Sequence, residues 1–218
     1  MATLSALVET IARVEGLDPS TVAQIAREIR QAGFIKTGGR GTSAAQMDFE
    51  DATNLLIAVN TTRTIREAPQ MVSAFRALVG RENEGIDWSG KRKLRRPLRG
   101  TLGQALEDLF KAVAGRPLGT TNSGLQFHFQ EALPRGVVDL RFHKPIPRVE
   151  LDVGGLDIVQ TEGGGIAFPL PTTPDVSLLF ELGKVEKRRL KDTGVDRTET
   201  TSVSLVTIRA IADLLEKG

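Results

Sequence analysis

Residues 8 to 28 have the sequence VETIARVEGLDPSTVAQIARE, and this stretch decides the expected fold of the first half of the chain. Apolar residues recur at helical spacing as far as Val14, and Gly16 then interrupts the pattern. Asp18 followed by Pro19 is typical of a helix start, because aspartate caps free N–H groups and proline fits the first helical position. The pattern predicts two amphipathic helices joined by a tight turn.

The spacing of small and apolar residues in this stretch matches the packing needs of a helix-turn-helix. Ala12 provides the small residue where the two helices would cross, and Gly16 provides the turn residue that can adopt a positive φ. Val22 and Ile25 are the positions of the second helix that would pack against the first. An ordinary pair of amphipathic helices does not require alanine and glycine at these two positions. Their presence therefore favours a helix-turn-helix.

These residues resemble the helix-turn-helix and winged-helix DNA-binding families. The segment STVAQIAREIRQAGFIKTGGRG, residues 20 to 41, resembles a recognition helix followed by a wing, and residues 22 to 59 look like small DNA-binding proteins of prophage origin. The resemblance implies binding of duplex DNA, with the second helix in the major groove. The third helix of the bundle would come from residues 48 to 60.

The resemblance also assigns roles to polar residues of this stretch. Early positions on the exposed side of the second helix would reach base edges: Ser20, Thr21 and Gln24. Later positions would meet phosphate: Arg27, Arg30 and Gln31. The cations in the wing would be Lys36 and Arg40. Two amphipathic helices joined by a glycine also occur in helical assembly domains, which is the alternative interpretation.

A second cationic segment lies farther along the chain. It places six cations within nine residues, and they are Lys91, Arg92, Lys93, Arg95, Arg96 and Arg99. A polyanion gains free energy from counterion release at such a segment, so we predict that it contacts DNA; the alternative is a solvated linker. Residues 1 to 120 hold 17 Lys and Arg against 13 Asp and Glu, whereas the remainder holds 12 against 14, which places a polyanionic partner on the first half.

The hydrophobic pattern changes from helical to strand-like spacing after residue 120, so we predict an α+β fold. It consists of a helical, winged helix-turn-helix domain over residues 1 to 80, a basic linker and bridging helix over 81 to 120, and a β-rich domain with a short C-terminal helix over 121 to 218. Gly154 and Gly155 between two strand-like runs indicate a tight hairpin. Phe34 and Ile35 are predicted to begin a short strand.

The sequence offers no catalytic set, and we expect neither an enzyme, nor a cofactor, nor a metal. With no cysteine, thiolate zinc sites, disulfides and a cysteine nucleophile are excluded. His128 and His143 could meet across antiparallel strands beside Asp139 or Glu150, but two histidines without a fixed short spacing are usually structural.

No run of apolar residues is long enough to span a membrane, and the N-terminus lacks the pattern of a signal peptide, so we expect a soluble, cytoplasmic protein. The predicted function is duplex DNA binding by a homo-oligomer, in transcriptional regulation or phage-type DNA recognition. Two alternatives remain, a small DNA-packaging subunit and a non-enzymatic virion or assembly protein.

Overall fold

The computed structural model describes residues 2–38, 45–82, 97–116, 136–157, 170–171, 176–182 and 199–217. Helices occupy most of the first half, and an antiparallel sheet followed by a helix occupies the second. This α+β arrangement agrees with the prediction at the level of secondary-structure order. None of the helices within the described ranges is both long and apolar enough to cross a membrane.

Three helices form the N-terminal part of the fold. They are α1 (Leu4–Glu15), α2 (Pro19–Gln31) and α3 (Phe49–Thr61). Asp48 and Asp51 have the spacing of a capping box in the sequence, and in the structure they form this capping box at the start of α3. Helix α3 is buried on nearly all sides, because α2, α4 and α5 pack around it.

A single 3-10 turn, Ile65–Glu67, leads into α4 (Ala68–Arg76). The recurrence of apolar residues predicts a helix over residues 102 to 113, and α5 (Leu102–Val113) has these bounds. Helix α6 (Leu205–Lys217) packs against α1 and α5. The apolar pattern predicts a fourth helix over residues 65 to 79, and its predicted end is wrong, because α4 ends at Arg76. Val79 begins a strand, because its backbone pairs with Glu181 and Thr101.

Within the described residues, the main sheet has six antiparallel strands in the order β2-β1-β6-β4-β3-β7. The strands are β1 (Val79–Glu82), β2 (Pro97–Thr101), β3 (Gly136–Lys144), β4 (Arg148–Asp157), β6 (Val176–Glu181) and β7 (Glu199–Ser204). The two-residue β5 (Leu170–Pro171) pairs with the end of β4. The residues of β1 and β2 that fall inside the predicted linker are therefore sheet residues.

One continuous hydrophobic core joins the helices to one face of the sheet. Phe75 of α4 meets Phe142 of β3 with ring centroids 6.0 Å apart and ring planes inclined by 53°. Helix α5 lies within this core, since Leu106, Leu109 and Phe110 are fully buried. The division into domains at residues 80 and 120 stays a prediction. The hydrophobic core contains residues from all three of the predicted segments.

A polar network crosses the helical layer. Asn54 of α3 donates to the carbonyl of Phe34 at 2.6 Å, and its side-chain oxygen accepts from Nη1 of Arg76 at 2.7 Å. Nη2 of Arg76 donates to Glu107 of α5 at 2.8 Å. This network of partly buried hydrogen bonds ties the segment after α2 to α3, α4 and α5.

Two local predictions from the sequence are wrong. Gly154 and Gly155 do not form a hairpin, because both lie inside β4 and pair with Val137 and Gly136. The turn between β3 and β4 comes earlier, at residues 145 to 147. Phe34 and Ile35 form a bend rather than a strand, because the Phe34 N–H bonds the carbonyl of Ile29 at the end of α2. The side chain of Ile35 is buried in the core.

Candidate nucleic-acid interface

The joint between α1 and α2 is built around Gly16. This residue has a φ of 66° and a ψ of 31°, in the left-handed region, and its N–H bonds the carbonyl of Ala12. The N–H of Leu17 bonds the same carbonyl at 2.8 Å. Glycine closes this turn without the steric cost that a Cβ brings there, as the spacing predicts.

We expect Gly16→Ala to lower the free energy of unfolding by about 1–2 kcal/mol, the cost of a left-handed conformation for an L-residue. A Cβ at this position meets no atom within 4 Å, so backbone strain is the sole source of the loss. Urea unfolding measures it. Gly16→Asn is the matched variant and should lose less, because asparagine tolerates this conformation. Equal stability of Gly16→Ala and the wild type would contradict the assignment.

The apolar side of α2 is buried against the rest of the protein. Asp18 caps the helix, and Val22, Ile25, Ala26 and Ile29 are buried. Helices α1, α3 and α4 pack against α2. The second helix is thus held as a fixed element, and its buried residues include both positions that the spacing predicts to pack.

The opposite side of α2 faces outward and carries all six polar positions that the sequence singled out. The exposed residues are Ser20, Thr21, Gln24, Arg27, Arg30 and Gln31. Neither Arg27 nor Arg30 forms an ion pair with another residue in the described ranges. Hydrogen-bond donors and two uncompensated positive charges are therefore presented on one rigid helix.

Asp18 engages the first two of these polar residues. The hydroxyl groups of Ser20 and Thr21 both donate to its carboxylate, and so does the N–H of Thr21. These hydrogen bonds lower the pKa of Asp18 to about 2, with the bond from Ser20 contributing most. Only the oxygen lone pairs of the two hydroxyls stay available, so the free donors of this surface are Gln24, Arg27, Arg30 and Gln31.

Lys36 does not provide a free charge. Its ammonium group bonds the carboxylate of Asp48 and lies 3.9 Å from Asp51. The hydrogen bond to Asp48 raises the pKa of Lys36. Lys36 therefore joins the segment after α2 to the start of α3, and any phosphate has to compete with two carboxylates for it.

Several predicted contact residues lie outside the described residues. They are Arg40, Lys91, Arg92, Lys93, Arg95 and Arg96. The backbone of Arg99 belongs to β2. The wing and the basic segment stay predictions, and the part of the candidate interface that lies within the described residues is α2 with its neighbours.

Two exposed arginines near the start of α4 have no signal of their own in the sequence pattern. Arg63 and Arg66 lie between α3 and α4, and the 3-10 turn that holds Arg66 packs against α2. Arg63 has its guanidinium 3.5 Å from Glu199 of β7. Thr64 and Glu67 have the spacing of a capping box, which is a sequence signal for an ordered turn at this position.

The outer face of the sheet carries a second cluster of charges. Arg141 bonds Asp152 and lies 3.3 Å from Glu150 and 3.5 Å from Asp139. His143 lies 3.0 Å from Thr200 and 3.7 Å from Glu150, and burial lowers its pKa while Glu150 opposes the shift. His128 lies outside the described residues. Within the described ranges, no three His, Asp or Glu side chains are placed to hold a metal ion.

Comparisons with known proteins give no match to this chain, whether among family models, curated proteins or solved structures.

Proposed function

We propose that this protein binds double-stranded DNA through a helix-turn-helix in which α2 enters the major groove. The observation that carries the proposal is the division of α2 into a sealed apolar side and an outward polar side. Such a helix, held by its neighbours and leaving Gln24, Arg27 and Arg30 free, meets the steric and chemical needs of groove binding. The left-handed turn at Gly16 and the close packing of α1 against α2 support the same assignment.

The electrostatic pattern of α2 supports a defined docking direction. Arg27 and Arg30 occupy its C-terminal half, whereas the carboxylate of Asp18 stands at its N-terminus. Phosphates are repelled by the carboxylate and attracted by the arginines. The C-terminal half of α2 therefore lies toward one phosphate strand, with Gln24 directed to base edges.

Alanine substitutions on α2 test the proposal. We expect Thr21→Ala, Gln24→Ala and Arg27→Ala each to weaken duplex binding at about 150 mM salt, by about 1–3 kcal/mol for each base that the side chain no longer reaches. Fluorescence anisotropy with labelled duplexes measures the change in affinity, and circular dichroism shows that the helices persist. If binding is unchanged in these variants and disappears when Lys91 to Arg99 are neutralised, α2 is not the binding element.

Asp18→Asn provides the matched variant with the opposite expected sign. Asparagine caps a helix about as well as aspartate, so α2 should keep its stability. Removing the carboxylate beside the DNA should strengthen binding, and the gain should shrink as salt rises. Equal affinity of Asp18→Asn and the wild type would show that DNA does not approach this end of α2.

The number of subunits in the assembly distinguishes the possible biological roles. A symmetric dimer places two copies of α2 about one helical turn of DNA apart, which suits a transcriptional regulator or a phage-type recognition factor. A closed ring of eight or more subunits suits a packaging subunit instead. Light scattering of the purified protein distinguishes the two assemblies.

A further inference from the structure

Helices α2 and α3 run in opposite directions, which determines where the turn after α3 lies. Just beyond the end of α2, the N–H of Lys36 bonds Asp51 at 3.0 Å, near the start of α3. The turn Ile65–Glu67 follows the end of α3 and also packs against α2. Helix α3 has 13 residues and is about 20 Å long, so it runs back along α2 from the C-terminal end. Arg66 therefore lies closer to the N-terminus of α2 than the Lys36–Asp51 contact does.

The turn is held in place by its own hydrogen bonds. Glu67 accepts from the N–H groups of Arg63 and Thr64, the second at 2.7 Å. The acid adjacent to Arg66 in sequence is thus engaged with the backbone. Arg63 is directed to Glu199, at 3.5 Å. Arg66 is exposed and forms no ion pair with any residue that the structure describes.

We propose that Arg66 is a second phosphate contact, on the DNA strand opposite to the one met by Arg27 and Arg30. This inference rests on the proposed function and extends it to a residue outside the helix-turn-helix segment. The major groove is about 12 Å wide, so a helix of about 20 Å has phosphates near both ends. Arg66 supplies toward one end of α2 the positive charge that Arg27 and Arg30 supply toward the other, and it offsets the carboxylate of Asp18.

The salt dependence of duplex binding tests the role of Arg66 in the full-length protein. A phosphate contact releases counterions, so Arg66→Ala should weaken binding about fivefold at about 150 mM salt. The slope of log K against log salt should become shallower by about 1. Arg66→Lys should restore the slope, because it keeps the charge. Arg209→Ala is the matched control, since Arg209 is equally exposed but lies on α6, which packs against α1 and α5.

The outcomes separate this inference from the function on which it rests. Wild-type affinity and slope in Arg66→Ala, together with weakened binding in Gln24→Ala, would overturn the role of Arg66 and leave α2 as the DNA-binding element. Equal losses in Arg66→Ala and Arg209→Ala would also overturn it, because the effect would then follow overall charge. A wild-type protein that does not bind duplex DNA would overturn both proposals.

Discussion

Replacing Phe142 with alanine is expected to lower the free energy of unfolding by about 3–5 kcal/mol, the usual cost of removing a fully buried phenylalanine side chain. Phe142 is completely buried on the inner face of β3, and its ring packs against Phe75 of α4. The substitution removes apolar contact area and leaves a cavity between the helices and the sheet. Urea unfolding followed by circular dichroism measures the decrease in stability.

The same variant tests how the chain divides into folding units. Because Phe142 belongs to a core shared by the helices and the sheet, amides of α3 and β3 should lose hydrogen-exchange protection by the same amount. Loss of protection in β3 alone would instead support separate units divided near residues 80 and 120. Val206→Ala is the control, since Val206 is 70% exposed and its truncation should change stability by less than about 0.5 kcal/mol.

We expect Arg76→Ala to lower the free energy of unfolding by about 2–3 kcal/mol, because it breaks hydrogen bonds rather than apolar packing. Its guanidinium bonds both Asn54 and Glu107, and its side chain is only 22% exposed. Removing it leaves the carboxylate of Glu107 and the side-chain oxygen of Asn54 without this partner in a largely dry environment. A partly buried polar group that loses its hydrogen-bond partner lowers the stability by more than the hydrogen bond itself contributed.

Arg76→Lys distinguishes the loss of charge from the loss of geometry. A lysine keeps the positive charge beside Glu107 but lacks the planar fork that reaches Asn54 at the same time. We expect an intermediate loss of stability, measured in the same urea titration. Arg76→Ala with wild-type stability would mean that Glu107 and Asn54 find water or other partners, and the network would then not stabilise the helical layer.

Much of the helical part was predictable because its signals are local. The start of α2 at Pro19, the capping of α3 by Asp48 and the bounds of α5 all follow from a few consecutive residues. The outward side of α2 was predictable for the same reason, since the period of its apolar residues assigns one side to the core. Ser20 and Thr21 were placed on the correct side, although the pattern did not reveal that Asp18 engages their hydroxyls.

The errors of prediction concern residues whose structure depends on distant partners. Two consecutive glycines favour a turn, yet Gly154 and Gly155 continue β4 because Gly136 and Val137 pair with them. Val79 follows a helical pattern, yet its backbone pairs with Glu181. Arg66 is inconspicuous in the sequence, and only the antiparallel packing of α2 against α3 brings its turn to α2.

The sequence by itself determined the helix pair around Gly16, the polar side of α2 and the change from helices to strands. These features arise from hydrogen bonds and steric limits between residues close in the chain. The tertiary structure alone decided the strand order, the Arg76 network, the pairing of Lys36 with acids and the position of Arg66. Such contacts join distant segments, and a linear pattern does not distinguish among the many pairings that bury the same apolar residues.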